Sequence, residues 1–135
     1  MRVLGNPVLV DSSYYITLAR SRVDPLERLQ DHRAQCDYDV ATCGTVWLEV
    51  LRGRSDPHVR DRYNRFFQTA VFLTLTPAAW ERSARLAWAL DRKGIVLPSP
   101  DLMIAACALE HDVPVLTFDR HFGQIPGVHA LNQLP

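Results

Sequence analysis

Two apolar runs that each end in an aspartate constrain this chain more than any other feature. Val8-Leu9-Val10 leads into Asp11, and Val115-Leu116-Thr117-Phe118 leads into Asp119. Neither run alternates apolar with polar residues, as a strand with one wet face would. Runs of this kind suit strands covered by helices on both faces. The intervening sequence supplies those helices. Ser12 or Ser13 can cap a helix through Tyr14, Tyr15, Ile16 and Leu18 to about Arg20, and Asp24-Pro25 opens a second to about Arg33. Asp39 to Cys43 reads as the next strand. Thr45 is then expected to cap a helix that carries Glu49 and stops at Gly53. Ser55-Asp56-Pro57 starts another helix, reaching about Gln68. Val71 to Leu75 is expected as a strand. Thr76-Pro77 opens the longest helix, which ends near Lys93 with Gly94 as its stop. Ser99-Pro100 begins a further helix to about Leu109. Val113 to Phe118, a short helix and Val128 to Leu131 close the chain.

The expected order β-α-α-β-α-α-β-α-α-β-α-β predicts an α/β domain spanning residues 1–135 with a mainly parallel sheet. Right-handed crossovers bring the C-terminal ends of all its strands to one edge. Composition adds mainly exclusions. Fifteen Lys+Arg offset fifteen Asp+Glu, so net charge offers no hint of a nucleic-acid partner. Lys93 is the only lysine. The other cations are arginines, suited to two-pronged phosphate contacts, although GC-rich coding produces the same bias. Cys36, Cys43 and Cys107 form no CxxC and are odd in number, which fits free thiols in a reducing compartment. The apolar stretch Met1 to Val10 is too short for a signal peptide, and no apolar run reaches the roughly 18 residues a membrane span requires. A cytoplasmic protein is expected.

The acids carry the chemistry. Asp11 and Asp119 end strands; Asp101 lies two residues past Ser99 and Glu49 four past Thr45, so both are expected near helix starts. In an open α/β sheet these positions share one edge, where ligands bind at the topological switch point. Like charges gathered there repel and raise each other's pKa, so the cluster calls for a compensating cation. With no Lys or His expected among them, the cation is a metal, and oxygen ligands favour Mg²⁺ or Mn²⁺. Such a site suits hydrolysis of a phosphodiester by activated water. Asp11 and Asp119 are the main expected ligands, with Asp101 completing the shell and Glu49 holding a second metal or orienting water. Ser13 and Thr117 can fix the carboxylates by hydrogen bonds.

Four segments in order resemble the PIN-domain nucleases, in particular the VapC toxins of toxin–antitoxin pairs. They are Leu9-Val10-Asp11-Ser12-Ser13, Thr45 to Gly53 around Glu49, Asp101-Leu102-Met103-Ile104-Ala105-Ala106-Cys107-Ala108, and Val115 to Phe122 with Ile125-Pro126-Gly127. The resemblance implies a three-layer α/β/α fold with a five-stranded sheet ordered 3-2-1-4-5. It also implies Mg²⁺- or Mn²⁺-dependent endoribonuclease activity, with Asp11, Glu49, Asp101 and Asp119 as the acidic quartet. A homodimer and a cognate antitoxin that inserts a basic side chain among the acids are implied as well. Some relatives carry a further acid shortly after the fourth, where this chain has Arg120 and His121. One metal or two therefore remain open.

Arg52, Arg54 and Arg120 are candidates for holding an RNA backbone, and Tyr14 for stacking on a base. His121 reads as a surface residue of a short helix. Arg60, Arg62 and Arg65 read as a solvent face, and Trp80 and Trp88 share a helical face expected in the core or at a dimer contact. Other classes fit less well. A receiver needs an acceptor Asp at the end of the third strand, where Leu75-Thr76-Pro77 stands, and an aspartyl phosphatase needs an acid where Ser13 stands. A DNA or flap nuclease shares the acids but is usually larger. A non-catalytic RNA- or protein-binding module of the same fold is the main alternative.

Overall fold

The computed structural model of the protein describes residues 6–134. The reading of Met1 to Gly5 as the start of a short apolar N-terminus lies outside the described residues.

The elements follow the expected order. They are β1 (Asn6–Val10), α1 (Ser12–Arg20), α2 (Pro25–Gln35), β2 (Tyr38–Thr42), α3 (Gly44–Arg52), α4 (Pro57–Thr69), β3 (Val71–Phe72), α5 (Pro77–Arg92), α6 (Ser99–His111), β4 (Val115–Leu116), a 3₁₀ helix (Arg120–Gln124) and β5 (Ala130–Leu131). The five strands run β3-β2-β1-β4-β5, and all four pairings are parallel. Every residue of β2 is buried, as are Val8, Leu9 and Val10 of β1. Consecutive burial means that both sheet faces are covered, which is why these strands read as unbroken apolar runs. Among the described residues no helix is long and apolar enough to cross a membrane.

Local chemistry sets most of the boundaries. Asp24 and Asp56 each cap a helix that opens with proline, accepting from the next two free N–H groups. Thr76 does the same for Ala79 at the start of α5. Gly94 follows α5 with φ +79°, the left-handed conformation that ends helices and that glycine adopts without strain.

Several boundaries differ from expectation, the last strand, for one, being Ala130–Leu131 rather than Val128 to Leu131. Helix α3 is capped by Cys43 rather than Thr45, with Trp47 N–H bonded to Cys43 O at 3.0 Å. The chain turns as soon as it leaves β2 because Cys43 is fixed in the core. Thr45 therefore lies inside the helix, its buried hydroxyl without a hydrogen-bond partner. Helix α6 likewise begins one residue earlier, after Pro98, with Ser99 inside it. Strand β3 is cut to Val71–Phe72 because only Ala41 and Thr42 remain as partners beyond β2's midpoint. Strand β4 shortens to two residues between its neighbours for the same reason. Trp80 and Trp88 lie on an exposed face of α5, 48% and 63% accessible, so they do not belong to the core.

Candidate active site

The switch point of this sheet lies between β1 and β4, the neighbours from which the chain departs in opposite directions. Asp11 stands at the end of β1, its N–H bonded to Leu116 O of β4 at 2.9 Å. It is only 2% exposed. A buried carboxylate needs partners, and it has three. The Thr117 hydroxyl donates to Oδ2 at 2.8 Å, Ser13 N–H donates to the same oxygen at 3.3 Å, and the Ser12 hydroxyl lies 3.4 Å from Oδ1. The Ser13 bond also caps α1.

These donors form a directed chain. The single proton of the Thr117 hydroxyl goes to Asp11, so its oxygen can only accept from its other neighbours. They are the N–H of Asp119 at 2.9 Å and the Ser13 hydroxyl at 3.1 Å. The Ser13 oxygen in turn accepts from Phe118 N–H at 3.1 Å. Thr117 therefore orients Asp11 directly and positions the backbone of Asp119. Ser13 touches Asp11 through its backbone and acts on it through Thr117 with its hydroxyl.

The four acids are organised as two bridged pairs. Ser12 lies between Asp11 and Glu49, its one hydroxyl proton shared by the two carboxylates and nearer Glu49 Oε1, at 3.0 Å, than Asp11 Oδ1, at 3.4 Å. Glu49 is the sixth residue of α3 rather than part of its first turn, and it meets Ser12 because α1 and α3 pack side by side. His121 joins Asp101 to Asp119: its Nδ1 lies 2.6 Å from Asp101 Oδ2 and 3.1 Å from Asp119 Oδ1. Asp101 reaches the site from the first turn of α6. Asp119 caps the 3₁₀ helix, accepting from His121 N–H at 2.9 Å. Ligand atoms of Asp101, Asp119 and His121 lie within 4.8 Å of one another, so a cation held by all three would replace the proton that Nδ1 shares with the two carboxylates.

The expectation that no histidine sits among the acids is thus overturned. His121 follows Asp119 by two residues, and the tight 3₁₀ turn folds its ring back over the carboxylates. Ser12, expected only as a helix cap, is the other bridging residue. The Tyr14 expectation also fails on geometry. Tyr14 is 4% exposed and its ring stacks on Phe118, with centroids 5.2 Å apart and planes at 22°. Arg54 lies over the Tyr63 ring at 5.7 Å, whereas Arg52 is exposed at the end of α3. Both line a cleft with Leu48 and Phe72. Arg120 is exposed beside Asp119.

The electrostatics match a crowded acidic site. Burial pushes the Glu49 carboxyl above its ordinary pKa, the Asp11 charge adds to this, and the Ser12 hydrogen bond and Arg52 oppose it. Asp101 is raised by burial and by the charges of Asp119 and Asp11, against the hydrogen bond from His121. The His121 imidazole is raised, chiefly by that hydrogen bond. A group with a folded pKa above its unfolded one stabilises the fold while protonated, and this contribution is lost as pH rises through the folded value. For Asp101 the loss begins at the ordinary carboxylate pKa and is complete once the pH exceeds the raised folded value. Neutralising it should then stabilise the metal-free protein increasingly as pH rises. In EDTA, the melting temperature of Asp101→Asn should exceed that of the native chain by a few degrees near pH 8. The gap should close towards about pH 4. A gap independent of pH would mean that Asp101 is not under repulsion.

Comparison with known proteins identifies the family of this fold. A family model described as the PIN domain matches residues 8–128. Ribonuclease VapC21 of Mycobacterium tuberculosis is 31% identical over 94 residues, covering 66% of this chain and 67% of that protein. Ribonuclease VapC4 of the same organism is 28% identical over 128 residues, 91% and 94% of the two chains. Among solved structures, VapBC-5 from M. tuberculosis, described as a member of the VapBC family of toxin–antitoxin systems, superposes with a TM-score of 0.61. It is 22% identical, and the match covers 93% of this chain and 95% of that one.

Proposed function

The chain belongs to the PIN-domain family, and from that premise we propose that it is a metal-dependent endoribonuclease acting as the toxin of a toxin–antitoxin pair. The observation that carries this reading is the gathering of Asp101, Asp119 and His121 within 4.8 Å at the sheet edge where Asp11 and Glu49 also meet. The VapC relatives, named as ribonucleases, support RNA as the substrate.

Hard carboxylate oxygens fit Mg²⁺ or Mn²⁺, and Asp11, Asp101 and Asp119 are the residues that would hold it, with Glu49 at a second position. Such an ion supplies Lewis-acid chemistry, activating water and offsetting the charge of the phosphodiester. The protein's own contribution is orientation. Thr117 and Ser12 keep the Asp11 carboxylate turned into the site, and Ser12 ties Glu49 to it. In this reading the exposed Arg52 and Arg120 meet the phosphates of the bound RNA.

An antitoxin that brings a basic side chain to these acids would satisfy the same repulsion a metal relieves. The toxin–antitoxin context of VapBC-5 supports an antitoxin as partner. The exposed Trp80 and Trp88 support a homodimer built on α5, since apolar patches of this kind mark protein contacts.

The test is cleavage of total RNA by the purified chain. Discrete fragments should appear with Mg²⁺ or Mn²⁺, and EDTA should lower the rate by at least about 100-fold. Mn²⁺ binding without cleavage of any RNA would favour the alternative, a non-catalytic binding module. A folded chain that neither cleaves RNA nor binds Mn²⁺ would sink the reading.

A further inference from the structure

Phe118 separates two acid-bearing segments and presents an aromatic side chain to solvent beside them. It is 41% exposed although it directly follows a strand and a buried threonine. It is also held firmly. Its N–H is bonded to the Ser13 hydroxyl, and one side of its ring rests on buried Tyr14, which packs edge-on against Tyr15 at 6.2 Å. A cleft of about 750 Å³ opens here, lined by Phe118, Thr117, Asp119, Arg120, Asn132 and Gln133 among others. The cleft shares Thr117 and Asp119 with the acidic site, so an occupant would lie next to the reacting phosphodiester.

We propose that this cleft is a nucleobase subsite, in which one unpaired base of a single-stranded RNA segment stacks on Phe118 while Asn132 and Gln133 meet its polar edge and Arg120 an adjoining phosphate. The inference rests on the nuclease reading and adds to it where a base is recognised. The chemistry of the lining matches a nucleotide part by part. A rigid aromatic ring accepts any base face. Side-chain amides offer both donor and acceptor to a base edge. An arginine fork fits phosphate. A double helix hides the faces of its bases, so the subsite selects loops, bulges or ends. Phe118 is here a binding and specificity residue, distinct from the acids.

The test measures fluorescence anisotropy of fluorescein-labelled RNA hexamers, U6 and A6, bound to the native chain in Ca²⁺, beside Phe118→Leu and Phe118→Trp. Leucine keeps apolar contact with Tyr14 but has no π-face, and thermal melts verify that each variant is folded. Phe118→Leu should bind about tenfold more weakly, while Phe118→Trp stays within about twofold of native. An abasic nucleotide at one position of the hexamer should weaken native binding by a similar factor and leave Phe118→Leu nearly unchanged, since both remove the same stack. Equal binding by Phe118→Leu, or native binding indifferent to an abasic nucleotide at every position, overturns the subsite. If Phe118→Leu instead binds RNA normally but self-associates less in sedimentation, the cleft is a protein contact and the subsite is likewise overturned. Metal-dependent cleavage by a native chain that fails these tests removes only the subsite. A native chain that neither binds nor cleaves RNA removes the nuclease reading with it.

Discussion

Asp11→Asn should reduce RNA cleavage by about 10³-fold, the several kcal/mol that metal-centred charge stabilisation contributes to such a reaction. The surroundings of the carboxylate explain this loss. Both bonds to Oδ2 come from donors, the Thr117 hydroxyl and Ser13 N–H, and the near neighbour of Oδ1 is the Ser12 hydroxyl. Asparagine has one acceptor oxygen instead of two. If that oxygen faces Thr117 and Ser13, the amide NH₂ turns towards the metal side, where it repels a cation. If it faces the metal side, the NH₂ meets two donors inside a buried site. Either orientation damages the site, and the first spares the fold. Single-turnover cleavage with Mn²⁺, together with Mn²⁺ titration and a thermal melt, separates lost chemistry from lost structure. A folded Asp11→Asn protein that cleaves within about tenfold of native would remove Asp11 from the metal site.

Phe122→Ala should cost about 3–5 kcal/mol, lowering the melting temperature by roughly 15 °C. Phe122 is fully buried and is one of the largest side chains in the core. It lies in the five-residue 3₁₀ helix whose N-cap is Asp119 and which contains His121. A 3₁₀ segment this short has little stability of its own. It is held by Phe122 and by Ile125, which is 3% exposed, so the core bond of one ring positions both the acid and the imidazole. A loss of this size approaches the whole stability of a small domain. Cleavage should therefore fall even at temperatures where the variant remains folded, because Asp119 and His121 lose their common anchor. Phe122→Leu, which retains much of the volume, should recover most of both losses. A melting temperature within about 3 °C of native for Phe122→Ala would show that the segment is held elsewhere.

How much of this was legible before folding depends on the range of the interaction. Local rules marked Asp24-Pro25, Asp56-Pro57 and Thr76-Pro77 as helix starts and Gly94 as a stop, because a cap bonds to groups two or three residues away. Unbroken apolar runs announced a sheet covered on both faces, and parallel crossovers then sent the ends of β1 and β4 to one edge. That reasoning selected Asp11, Glu49, Asp101 and Asp119 together without any contact being known.

Contacts across many residues were not legible in this way. Nothing near Ser12 indicates that its hydroxyl faces a carboxylate 37 positions later. His121 looked like a surface residue because its partner Asp101 lies 20 positions upstream, and a two-residue step from Asp119 is read as a helix cap before it is read as a bridge. Tyr14 looked available to a base until Phe118, more than a hundred positions away, was found stacked on it. Thr45 was the better cap by residue type, but burial of Cys43 decided where α3 begins. Sequence by itself determined the elements, their order, the parallel sheet and the edge that carries the acids, since these follow from periodicity, capping and connection rules. Tertiary structure alone decided which hydroxyl orients which carboxylate, that an imidazole lies between two of them, and that the exposed aromatic beside them is Phe118, since side-chain direction is settled only when distant segments pack.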